Sequence, residues 1–97
     1  MTLTFIVKHP SNGNFATITM LVVCRTDTNG NQRYFYFWQK SNESRTRYIG
    51  EYGAHDYNDK ALIEVCSRCE GNFVGWVTPG IPEPTYIDKR NPDGVAI

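Results

Sequence analysis

The sequence predicts an α+β fold: a twisted antiparallel sheet of four to five strands that begins as a three-stranded meander, one helix packed on one face, and a Pro-rich extended C-terminal arm. Three observations carry this. Asn-Gly occurs at 12–13 and again at 29–30, each time between runs of alternating polarity. The apolar spacing changes from two to helical after Asp56. Proline concentrates at Pro79, Pro82, Pro84 and Pro92.

The elements follow in order. Leu3, Phe5 and Val7 alternate with Thr2, Thr4 and Ile6 until His9-Pro10, which reads as a strand, because successive side chains of a strand point to opposite faces. From Phe15 to Cys24 the alternation resumes with Ile18, Met20, Val22 and Cys24 on one face. Leu21 and Val23 make the other face apolar too, so the second half of this strand is expected to be covered on both sides. Arg33 to Lys40, rich in Tyr, Phe and Trp, is the third strand. Asn-Gly tolerates the positive φ angles of a tight hairpin, so both connections are expected to be tight turns. Ser41 to Arg47 is a polar loop, and Tyr48 to Tyr52 a short fourth strand interrupted by Gly50.

Leu62, Val65, Cys66 and Cys69 then fall at i, i+3, i+4 and i+7, widened by Ala61 and Ile63, which is the stripe of one amphipathic helix over about 56–70. Asp56 or Asn58 is placed to cap it, and Gly71 to supply the left-handed residue that ends it. Asn72 to Val77 is a further strand. Beyond it proline removes backbone donors and fixes φ, so residues 79–97 form neither helix nor central strand. The division expected is a single domain over 1–78 and an arm over 79–97 that lies on its own sheet or on another chain.

With 97 residues, a second core is excluded by size. Ten Lys+Arg balance ten Asp+Glu, so no global field draws the chain to nucleic acid or an anionic membrane. Its longest apolar run, Met20 to Cys24, is far below the roughly 18 residues of a membrane span. The polar and apolar alternation at the start is unlike a secretory signal, and three cysteines form no disulfide framework; both point to a cytoplasmic protein.

Candidate sites divide into three. In the strand 33–40, Tyr34, Tyr36 and Trp38 point one way and Phe35 and Phe37 the other. The phenylalanines are expected beneath the helix, leaving the Tyr-Tyr-Trp face as a platform, with Arg33, Arg45, Arg47 and Tyr48 around it. Ile81, Tyr86 and Ile87 of the arm complete this expected partner-binding set, since aromatic and Arg side chains concentrate binding energy at protein interfaces. The same rings stack unpaired bases in other proteins, so a single-stranded nucleic-acid binder is the first alternative. Cys66-Ser-Arg-Cys69 suggests zinc as a second alternative. A tetrahedral site needs two further ligands, for which Cys24, His55 and His9 are the candidates, and the apolar position of both cysteines argues for a structural role instead.

No Gly-rich phosphate loop, nucleophile elbow or acid pair stands out, so catalysis and a bound cofactor are not expected. The expected function is a small non-enzymatic interaction module: a subunit, accessory factor or inhibitor docking on a larger protein assembly, or on a second copy of itself, with no membrane involvement. Small neutral domains without motifs are common among viral accessory proteins, an association rather than a physical argument.

Overall fold

The computed structural model describes residues 1–53 and 55–85. It contains β1 (Thr2–Lys8), β2 (Phe15–Thr26), β3 (Gln32–Lys40), β4 (Arg47–Tyr52), α1 (Asp59–Arg68) and β5 (Asn72–Trp76). The strands form one antiparallel sheet in the order β4-β3-β2-β1-β5. The meander, the fourth strand, the single helix and the last strand are therefore where the periodicity puts them. After β4 the chain crosses the whole sheet through α1 and adds β5 at the opposite edge, beside β1.

One layer of side chains forms the core. Leu3, Phe5 and Val7 from β1, Ile18, Met20 and Val22 from β2, Tyr36 and Trp38 from β3, and Phe73 from β5 meet Ala61, Leu62, Val65, Cys66 and Cys69 from α1 and its end. The helical stripe is the expected one, with Ile63 half-buried at its margin. The helix is shorter than 56–70 because Asn58, not Asp56, caps it. The Asn58 side-chain oxygen accepts from the amides of Lys60 (2.9 Å) and Ala61 (3.3 Å).

At the other end the left-handed residue is Glu70, with φ of 52°, not Gly71. The Gly71 amide reaches the Cys66 carbonyl at 3.0 Å and the Glu70 amide reaches that of Ser67 at 3.2 Å. Such paired bonds close a helix C-terminus. Gly71 answers a different need. A Cβ there would sit 2.8 Å from Cβ of Val7, so the chain passes too close to β1 for any side chain.

Both hairpins form at the Asn-Gly sites, but as wider loops. Gly13 and Gly30 have φ of 70° and 83°, whereas the asparagines before them lack a positive φ. A two-residue type I′ turn requires it at both positions. In the second loop Asp27 accepts from the amides of Asn29 and Asn31, both at 2.9 Å, and its own amide bonds the Asn31 carbonyl. This closes the chain over residues 27–31 and sets the register of everything after it.

The register overturns one expectation. A two-residue Asn29-Gly30 turn would pair Val22 with Phe37 and put the phenylalanines under the helix. The observed loop pairs Thr26 with Gln32, Val22 with Tyr36 and Met20 with Trp38. A slip of one residue exchanges the two faces of a strand. Tyr36 and Trp38 are accordingly core residues, 0% and 2% exposed, and Phe35 and Phe37 lie on the opposite face.

Residues 78–85 are folded onto the body. Thr78 Oγ1 accepts from the Thr4 amide at 2.6 Å, and the Pro82 carbonyl accepts from the indole of Trp76 and the hydroxyl of Tyr57, both at 3.1 Å. Ile81 packs against the core and Thr85 donates to the Asp59 carboxylate. The expected arm thus begins, up to Thr85, as part of its own domain; Tyr86, Ile87 and the residues to 97 lie outside the described ones.

Candidate interaction surface

The helix covers one face of the sheet, and among the described residues nothing packs on the other. Its layout follows from the registers, since directly paired residues share a face. Arg25 and Arg33 oppose each other at one end, where Glu51 holds Arg33 through a two-pronged ion pair. Next come two apolar rows. Val23 pairs with Phe35, and Leu21 pairs with Phe37, which in turn pairs with Tyr48. The Phe37 and Tyr48 ring centroids are 5.3 Å apart. Then follow threonine-rich rows: Thr2 beside Leu21, Thr4 between Thr19 and the start of the arm, and Thr17 beside Ile6. Phe15 and Lys8 close the far end, with the Lys8 ammonium 5.7 Å from the Phe15 ring centre.

Leu21 is 39% exposed and Tyr48 52%, while Phe35, Phe37, Val23 and Ile6 are half-buried by their neighbours in the sheet. Such a contiguous apolar area is uncommon on a chain that works alone. Its charge lies at the two ends and at the β4 edge, where Glu51 stands beside Phe35. The Arg33 guanidinium holds the Glu51 carboxyl below its usual pKa through their hydrogen bonds, and Glu51 in turn raises Arg33, so at neutral pH both are charged and answer one another.

Of the residues the sequence singled out for partner binding, Tyr48 lies on this face and Arg33 at its charged end. Tyr34, Tyr36 and Trp38 do not. Tyr36 and Trp38 are enclosed by the core, which removes the expected stacking platform. Burial pushes the Tyr36 phenol up to about 12, and its hydroxyl donates to the His55 carbonyl at 3.3 Å. Tyr34 lies on the helix side, half-buried, donating to Gln32 at 2.8 Å. Arg47 is engaged twice: its guanidinium lies 4.6 Å above the Trp38 ring and reaches Glu43 at 2.7 Å. Arg45 is exposed in the 41–46 loop, and Ile81 is half-buried against the core.

The residues missed were Leu21, Val23, Phe35 and Phe37. The doubly apolar stretch Met20 to Cys24 is their signal in the sequence, but it does not say which face of β3 it matches.

The metal candidates are not assembled. Cys66 and Cys69 are buried in the helical stripe, Cys24 is exposed on β2 and His55 is exposed before the helix. Among the described residues no group of three His, Cys, Asp or Glu is placed to hold a metal. Burial raises the Cys69 thiol, whose Sγ lies 3.5 Å from the Cys66 carbonyl, so it stays protonated at neutral pH.

A cleft of about 1070 Å³ opens between the ends of β3 and β4, the start of α1 and residues 82–85. Two of its acids already have partners, Glu51 in Arg33 and Asp59 in Thr85. Among the described residues no helix is long and apolar enough to cross a membrane. Compared with protein families, curated proteins and solved structures, the chain matches none.

Proposed function

We propose that this protein is a non-enzymatic interaction module that docks on a protein partner through the uncovered sheet face. The observation that carries the reading is the pair of apolar rows formed by Leu21, Val23, Phe35, Phe37 and Tyr48, left without a second layer among the described residues. A sheet buries its apolar side against another element, and α1 serves only one side. An apolar, ring-bearing centre with charge at its margins is the anatomy of a protein interface. The burial of Tyr36 and Trp38 takes away the rings on which single-stranded nucleic acid would stack, so we do not favour that alternative.

A photoreactive residue placed at Tyr48 tests the reading, with one at Lys60 on the exposed side of the helix as control. Protein adducts from position 48 and not from position 60 are expected, with little change between low and high salt. Adducts to nucleic acid, lost steeply as salt rises, would contradict it, because phosphate contacts release counterions.

A further inference from the structure

The proposed docking face also indicates its occupant, an inference that rests on the function proposed above. We propose that the partner is a second copy of the chain, packed sheet against sheet about a two-fold axis near Leu21 and Phe37.

Three features point there. The first is charge. The charged side chain in the two central rows, Glu51 beside Phe35, is ion-paired with Arg33 at the margin, and the chain as a whole has a formal charge of zero. The apolar rows therefore do not call for a partner of opposite sign. The second is self-complementarity. In a two-fold contact the same patch serves both sides, and residue i meets j while j meets i. An axis near Leu21 lays the apolar rows of one copy over those of the other. It keeps Thr2 beside Leu21 near the centre and leaves the Thr4–Thr19 and Ile6–Thr17 rows farther from the axis, where their hydroxyls keep water or meet one another.

The third is size. Five strands about 4.8 Å apart and roughly seven residues long, at about 3.4 Å each, give a footprint of roughly 24 by 24 Å. With side-chain relief this is on the order of 800 Å² per copy, the area of a standard stable interface. The product is a β-sandwich with sheets about 10 Å apart and a helix on each outer surface.

The test uses the full chain. Sedimentation equilibrium and light scattering are expected to show a species of twice 11.1 kDa. Measured between about 1 and 100 μM, it is expected to dissociate with a Kd at or below the micromolar range of such interfaces. L21E and L21K are each expected to weaken the dimer at least 100-fold with unchanged far-UV circular dichroism. Mixed together, these two variants are expected to recover a dimer, because a two-fold axis brings position 21 of one copy near that of the other. Y48K is the second variant, at a more exposed site on the same row, should either change at Leu21 perturb folding.

A dimer that survives L21E, L21K and Y48K places the interface elsewhere and overturns the proposal. A parent chain that stays monomeric at about 100 μM also overturns it, since an interface of this area holds well below that concentration. A hydrophobic dye then separates what remains. Dye bound by the parent and lost in L21E leaves the docking face standing with a different partner. Dye bound only after removal of 86–97 means the chain's own end covers the face, and both readings fall.

Discussion

Replacing Trp38 with alanine separates the observed register from the one a tight turn would have produced. In the structure Trp38 is 2% exposed, opposite Met20, with the Arg47 guanidinium 4.6 Å above its ring. Truncating a buried Trp costs about 3–5 kcal/mol through lost transfer energy and the cavity left behind. A domain of this size is stable by roughly 5–15 kcal/mol, so the variant loses about a fifth of its margin at the least. With a urea slope of about 1–2 kcal/mol/M, the midpoint falls by roughly 1.5–5 M.

Trp38→Phe sharpens the test. The indole N–H has no acceptor among the described residues. A buried donor left unpaired costs about 1–3 kcal/mol. Phenylalanine removes that donor while keeping most of the packing, so this change is expected to stay within about 1.5 kcal/mol of the parent. Phe37 lies on the open face and part of its surface already meets water. Phe37→Ala is therefore expected to cost only about 1 kcal/mol in the monomer. Urea unfolding followed by circular dichroism, at concentrations low enough to exclude association, measures all three. If Trp38→Ala shifts stability by less than about 0.5 kcal/mol while Phe37→Ala unfolds the chain, the two faces have been assigned the wrong way round.

Other consequences are as definite. Tyr36 is neutral when buried, with a folded pKa of about 12. Its unfolded value is near 10, so the stability it provides is whole below pH ~10 and lost as pH rises toward ~12, about 1–3 kcal/mol in all. Tyr36→Phe is expected to flatten that alkaline limb in urea midpoints measured across the same pH range. Gly71→Ala forces a methyl to within 2.8 Å of Val7, at a glycine whose φ is ordinary. Overpacking of this kind is expected to lower stability by about 1–3 kcal/mol in a thermal melt, and an unchanged melting temperature would show that β1 yields there. A strong chelator is expected to leave the melting temperature unchanged, since Cys66 and Cys69 pack in the core far from a full ligand set. A fall of several degrees would revive a structural metal.

The fold was legible in the sequence wherever a local pattern decides. Alternation in β1 and β2, the i, i+3, i+4, i+7 stripe of α1, and Asn58 ahead of it act within a few residues and are settled by side-chain geometry and capping. The Asn-Gly pairs likewise marked both reversals of the meander, because the left-handed conformation glycine supplies is needed wherever such a hairpin closes.

What no local pattern carried was the length of the loop between β2 and β3. Asp27 draws in the amides of Asn29 and Asn31, the turn widens, and the register moves by one. Strand side chains repeat every two residues, so that single step sent Tyr36 and Trp38 into the core and Phe35 and Phe37 to the open face. In the first hairpin the departure from a tight turn moves the register by two, and Leu3, Phe5 and Val7 stay where alternation places them. The crossing of α1 to the far edge is also tertiary. β5 finds its place only because β1 has a free edge and Gly71 lets the chain pass against Val7. Composition alone determined that this chain has apolar side chains enough for one core; only the packed sheet decided which rings enter it and which lie on the face away from the helix, because strand register is a tertiary property.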